Sequence, residues 1–197
     1  PVAPQPYYNI PVKITHTELL EESGKVYEVL DSTDIISKVT IWAPRSVIAK
    51  LSANSIVATA DMNDLSSLDT ISIKLSVDGG YDISRISGSS DIVKLNIEEK
   101  RPKTLPIHVT TSGELTDGYI LGEITSEQNL VKVTGPESLI ESVAEARVDI
   151  NVTPFTNDIN TDSEILLYDA DGKRVSTERI TQSIKTVKVK IPILETK

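Results

Sequence analysis

The chain has 197 residues, no Cys and a formal net charge of −9, from 29 acidic and 20 basic side chains. The lack of Cys excludes disulfide staples, thiolate metal sites and Cys nucleophiles, and the acidic balance excludes nucleic-acid binding unless a local basic stripe exists. No run approaches the roughly 18 apolar residues that cross a bilayer, and six Tyr, one Phe and one Trp leave few platforms on which bases stack.

The chain opens at Pro1 without an initiator Met, so an upstream segment is expected. PVAPQP is Pro-rich, and residues 1–9 are expected to form a stiff extended spacer. IPVKIT, Ile10–Thr15, reads as a strand and runs into the polar, acidic HTELLEESG. Val39 and Ile41 then lead into TIWAPRSVIAKL, Thr40–Leu51, where Val47, Ile48 and Leu51 share one helical face. Pro44 precedes that spiral, and Pro suits a first helical turn because its missing N–H has no partner there. Such a short helix holds only if it packs on a sheet. VATAD, ending at Asp61, reads as the next strand. Thr70–Val77 alternates strictly, with Ile71, Ile73, Leu75 and Val77 on one side and Thr70, Ser72, Lys74 and Ser76 on the other. VDGG marks a turn, and Val93, Leu95 and Ile97 end the first half. One face buried and one wet is the pattern of antiparallel sheet.

EEKRPKT, Glu98–Thr104, is charged, carries a Pro and lacks apolar residues, so the boundary between two modules is expected within it, as a short linker. After it the same order returns. LPIHVT matches IPVKIT, Val131 and Val133 match Val39 and Ile41, and KVTGPESLIESV, Lys132–Val143, repeats the corner, with Gly135 for Ala43 and Pro136 for Pro44. Leu139, Ile140 and Val143 repeat the helical face, EARVD ending at Asp149 matches VATAD, DADG matches VDGG, Ile180 is set against Ile86, and TVKVKI matches IVKLNI. The chain reads as two copies of one module, 1–100 and 101–197. The basic cluster Lys185, Lys188 and Lys190 alternates with Val187, Val189 and Ile191, which makes it the wet face of a strand rather than a nucleic-acid stripe.

A strand, a Gly-Pro corner with Ser two residues on, an apolar spiral and a strand ending in Val-Asp resemble the YbbR-like domain. The match is fullest over VKVTGPESLIESV, ARVDINV, YDADGKRV and VKVKIPI, and weaker over VTIWAPRSVIAKL and VATADMNDLS, where Ala43 replaces the usual Gly. The resemblance implies an all-β fold: two tandem YbbR-like modules, each a small twisted sheet or open barrel with one short helix. Pro44, Ser46, Asp61, Gly135, Pro136, Ser138 and Asp149 form its corner motif. The resemblance also implies the extracytoplasmic part of a bacterial protein, held by an N-terminal anchor that is absent here. Such proteins regulate a membrane diadenylate cyclase, the source of cyclic di-AMP, by protein contact and without catalysis. Two other readings are tandem immunoglobulin-like adhesion or spacer modules, without the helices after Pro44 and Pro136, and an enzyme with a cleft between the modules.

The candidate sites are few. YDADGK fits a calcium loop at Asp169, Asp171, Gly172 and Glu178, but position one is Leu167, which cannot ligate, so a tight turn is expected. His16 and His108 do not align with each other and read as solvated. Ser residues lack a G-x-S-x-G elbow, and Asn151-Val152-Thr153 is a sequon followed by Pro154. Asp61 and Asp149 are expected to accept backbone N–H groups from the turns after their strands. Trp42 should point away from the core if Val39 and Ile41 point in, and Trp42 and Arg45 are the candidate anchors of a protein-binding patch. No metal, cofactor or small-molecule ligand is expected.

Overall fold

A computed structural model describes residues 1–153 and 155–196. Pro154, the residue that follows the sequon, and Lys197, the last residue of the second expected module, lie outside the described residues. The chain divides into two compact units, Pro1–Glu98 and Glu99–Lys197. Both are built mainly of strands with a few short helices.

The first unit contains β1 (Val2–Pro11), β2 (Lys13–Thr15), α1 (Glu18–Glu22), β3 (Lys25–Val29), β4 (Ile35–Pro44), α2 (Arg45–Ile48), β5 (Ile56–Asp61), β6 (Thr70–Val77) and β7 (Arg85–Gly88). It ends in the first residues of β8 (Ile92–Ser112). One antiparallel sheet has the order β1-β4-β7. In the other, β2 runs parallel to β5, β5 pairs with β6, and β6 pairs with Ile92–Lys94 of β8. The inward residues of both sheets, among them Ile36, Val39, Ile41, Ala43, Ala60, Ile71 and Val93, make the core and are 0% exposed.

The second unit follows with β9 (Tyr119–Leu121), β10 (Thr125–Ser126), β11 (Leu130–Pro136), α3 (Glu137–Ser142), β12 (Glu145–Asn151), β13 (Ile159–Glu164), β14 (Leu166–Tyr168), β15 (Thr181–Gln182), β16 (Thr186–Ile191) and β17 (Ile193–Glu195). Here β11 lies between residues 100–106 of β8 and β15, and β12 runs parallel to residues 107–112 of β8. Its own core holds Val131, Val133, Val143, Val148, Leu167, Val189 and Ile191.

Two expectations are corrected. Residues 1–9 are not a spacer, because all but the first lie in β1, paired with β4 from Val2↔Pro44 to Pro11↔Ile35. EEKRPKT is not a loop linker either, because it lies inside β8, where Lys100↔Pro136 through Pro106↔Leu130 pair with β11. Each of these stretches pairs with a strand that ends in Pro, Pro44 in one unit and Pro136 in the other. Pro4 and Pro6 in one, and Pro102 and Pro106 in the other, fall on the parity that turns the missing N–H away from the ladder, the arrangement in which a strand at a sheet edge tolerates Pro. Pro on an open edge also blunts it against pairing with other chains.

Both corners hold short helices directly after their prolines, α2 after Pro44 and α3 after Pro136. The prolines stand one residue earlier than expected. Each ends its strand in extended backbone, with φ −56° and ψ 146° at Pro44 and φ −57° and ψ 136° at Pro136, and caps the helix from outside. Gly135 is there because a side chain will not fit: a Cβ would lie 2.8 Å from the carbonyl oxygen of Arg179. Gly135→Ala is therefore expected to cost about 1–3 kcal/mol, read as a lower denaturant midpoint for the second unit. An unchanged midpoint would show that the Arg179 carbonyl yields freely.

Candidate protein-interaction surface

The burial of β4 alternates through the corner. Val39, Ile41 and Ala43 face the core, while Thr40, Trp42 and Pro44 face outward and are half-buried. Trp42 is set opposite Pro4 on β1 and Arg85 on β7. The Arg85 guanidinium carbon lies 4.6 Å from the centre of the Trp42 ring, within cation–π range. Its backbone carbonyl accepts the Ser84 N–H at 2.9 Å. Along β1 the same face carries Val2, 51% exposed, and Tyr8, 62% exposed. The outcome is an open sheet face of aromatic, Pro and aliphatic groups with basic residues beside them, Lys38 and Arg85. A surface that is apolar at its centre and charged at its rim suits docking of another protein.

Arg45 is exposed at the first residue of α2, beside Ser46, also exposed. The cation against Trp42 is Arg85, not Arg45. The sequence hid this partner, because Arg85 is far away along the chain and only the pairing of β7 with β4 brings it alongside. In the second unit the Trp42 position is Thr134, opposite Pro102 and Thr181. Gly135 and Pro136 are buried there and Ser138 is exposed in α3.

Asp61 closes β5 and caps the 3-10 turn Met62–Asp64, its Oδ1 accepting the Asn63 N–H at 2.9 Å. His16 lies at the end of β2, which runs parallel to β5, and its Nδ1 is 2.9 Å from the same oxygen. His16 is thus not merely solvated, and its own backbone is left-handed at φ 58°. The Asn63 N–H, and after it His16, hold the Asp61 carboxyl below its ordinary value against the opposing effect of burial. A depressed folded pKa adds stability above the unfolded Asp value of about 3.9, and that stability is lost as pH falls through the folded value. The gap in thermal midpoint between the wild type and Asp61→Asn is accordingly expected to close as pH is lowered past 4. A gap that stays constant into acid would contradict it.

Asp149 differs. It lies within β12, not at a turn, and accepts from the Thr110 hydroxyl on the neighbouring strand and from the Tyr168 hydroxyl at 3.3 Å. Arg147 Nε is 3.4 Å from its Oδ1, and the Arg147 guanidinium stacks 3.8 Å from the Tyr168 ring centre. Each carboxylate oxygen thus accepts one side-chain hydroxyl. In the DADG turn, Asp169 Oδ1 accepts the N–H groups of Asp171 and Lys173, both at 2.9 Å, and Gly172 takes φ 79°. Among the described residues no three His, Cys, Asp or Glu side chains are grouped to hold a metal ion, and no helix is long and apolar enough to cross a membrane.

Residues 105–191 match the model of the YbbR-like protein family. The chain is 23% identical over 137 residues to the CdaA regulatory protein CdaR of Bacillus subtilis (strain 168); the aligned part is 68% of this chain and 27% of that protein. A crystal structure of a YbbR-like protein from Streptococcus pneumoniae TIGR4 aligns over all of this chain and 97% of its own, at 14% identity and a TM-score of 0.46. A solution structure of SuR18C from Streptococcus thermophilus aligns over 50% of this chain and 88% of its own, at 16% identity and a TM-score of 0.41. The second unit carries a match to the YbbR-like protein family.

Proposed function

We propose that this chain is a non-catalytic binding region of a membrane-anchored bacterial protein. It stands on the extracytoplasmic side and modulates a membrane diadenylate cyclase, and so cyclic di-AMP synthesis, by protein contact. The likeness to a protein named as the regulator of CdaA carries this reading, together with the YbbR-like domain. We read the two units as tandem modules, 1–100 and 101–197. Supporting this, each sets a Pro-containing strand against a strand that ends in Pro and opens a short helix. In each, an Asp-bearing strand also runs parallel to a strand bearing Thr opposite that Asp, Thr15↔Asp61 and Thr110↔Asp149.

The face around Trp42 is the contact surface we assign. Trp and Arg are among the residue types enriched at the energetic centres of protein interfaces. The test is titration of the purified chain against the full-length cyclase held in lipid nanodiscs, with binding followed by interferometry. Saturable binding supports the proposal, and no binding at concentrations on the order of 0.1 mM contradicts it. The immunoglobulin-like reading required the chain to continue without a helix after Pro44 and Pro136. Helices α2 and α3 begin at those points and count against it.

A further inference from the structure

Two open strand edges line one cavity in the second unit. Over residues 107–112, β8 pairs with β12 and, among the described residues, with no other strand of that unit. The backbone groups of successive strand residues point to opposite sides. The Val152 N–H donates to the Ser112 carbonyl on the β12 side, and the Ile107 N–H donates to the Asn129 carbonyl at 2.8 Å on the other. Odd-numbered residues of this stretch therefore face away from β12. Val109 and Thr111 follow Ile107 in doing so, with N–H and C=O groups turned to a side where no strand of the unit pairs with them. Across the gap, β10 ends its own sheet and pairs with β16. The Glu127 N–H donates to the Lys188 carbonyl of β16 at 2.9 Å, so Ser126 turns its backbone groups away from β16.

The cavity has a volume of about 430 Å³, and Ile107, Val109, Ile124, Ser126 and Asn129 are among its lining residues. A rise of about 3.3 Å, a strand spacing of about 4.8 Å and a sheet spacing of about 10 Å give an extended residue roughly 160 Å³, so the space suits a strand of about three residues. Ile107, Val109 and Ile124 pack against the core of this unit and give the gap an apolar floor. Exposure alternates from Glu123 to Glu127, so that Glu123, Thr125 and Glu127 stand on the solvent face beside the β10 edge. Open edges are ordinarily blunted by Pro, by charge or by a covering element. Residues 108–112 are His, Val, Thr, Thr and Ser, with neither Pro nor a carboxylate, Lys or Arg. In the first unit the Val12 N–H likewise donates across a gap, to the Asp34 carbonyl at 2.7 Å. There β2 ends at Thr15, and the chain turns into α1, which packs on β3 and buries Leu20 in the core. In the second unit β8 runs on to Ser112, and no helix stands between it and β9.

We propose that an extended segment of another protein adds to β8 in this gap as a further strand, along Val109 and Thr111, with Ser126 on its far side. Backbone hydrogen bonds to the open edge hold it, and its side chains set the selectivity. Alternate residues of the segment are apolar and lie over Ile107, Val109 and Ile124. The residues between them are Lys or Arg and face outward beside Glu123 and Glu127, since opposite charges on neighbouring strands attract. The site lies in the second unit and depends neither on the regulatory reading above nor on the face around Trp42.

The test is backbone amide hydrogen exchange by NMR on the whole chain, read at Val109 and Thr111. The probe is a blocked six-residue peptide alternating Val and Lys. The controls are the same peptide N-methylated at every Val, the same N-methylated at every Lys, and a peptide alternating Val and Glu. Fast exchange in the free chain and a saturable slowing with the Val–Lys peptide, lost in at least one N-methylated form, support the proposal. Slow exchange in the free chain, no slowing at peptide concentrations on the order of 10 mM, or equal slowing with both N-methylated forms overturns it. Slowing that grows with the concentration of the chain alone gives the edge to a second copy and overturns the partner segment. Thr111→Pro removes an N–H that faces the gap and none that faces β12. It is expected to weaken peptide binding about tenfold, and unchanged affinity in the folded variant overturns the assignment. Glu123→Lys with Glu127→Lys tests the same edge through exposed side chains, without touching the backbone. It is expected to weaken binding of the Val–Lys peptide about tenfold at an unchanged melting temperature, and unchanged affinity overturns the choice of a basic segment.

Discussion

Ile41→Ala is expected to lower the stability of the first unit by about 2–5 kcal/mol. Ile41 is 0% exposed and lies in β4, between the edge strand β1 and β7, where truncation leaves a cavity rather than a surface. It packs with Val39, Ala43 and Ile71, whose small or β-branched side chains have little freedom to fill the gap. The loss is a large share of the 5–15 kcal/mol typical of a whole domain. Amide hydrogen exchange reads it directly. Protection should fall through residues 1–98, in β4, β5 and β6, and persist in β11, β12 and β16, because we assign the two halves to separate modules with separate cores. Uniform loss of protection along the chain would contradict two modules.

Trp42→Ala, one residue further on, should have the opposite profile. Its ring is on the outer face, held by Pro4, Arg85 and the pleat and not by core packing. Truncation removes a large rigid aromatic surface and one cation–π contact. If the face is the docking surface, affinity for the partner should fall about thirtyfold, corresponding to about 2 kcal/mol for a centrally placed anchor. The melting temperature should move little. Arg45→Ala, off the Trp42 ring, should move affinity less than Arg85→Ala. Unchanged affinity for Trp42→Ala in a folded chain would place the contact elsewhere.

How much of this was legible in the sequence follows from what each strand carries on its two faces. Thr70–Val77 could be read because its inward and outward residues differ in polarity at every step. The corners could be read because Pro and an apolar spiral recur with the same spacing. The edge strand was not legible in either unit. In β1 the alternation is between Pro and mixed residues, and in residues 99–106 of β8 the parity of the buried Leu105 also carries Glu99, Arg101 and Lys103, so period two leaves no contrast. Register exposed the rest. Ile86 stands opposite Ile41 and Gln182 opposite Val133, whereas matching by apolar character had set Ile86 against Ile180. His16 and Asp61 meet only because β2 and β5 run parallel, which no local pattern announces.

The central claim is that this chain acts on an enzyme by touching it. Its most direct measurement is the rate of cyclic di-AMP formation by a purified membrane diadenylate cyclase in nanodiscs, with increasing amounts of this chain. A saturable change in rate with the wild-type chain, shifted to higher concentration by Trp42→Ala, is the predicted result. A rate that stays flat at saturating chain, with both proteins folded, would contradict the account.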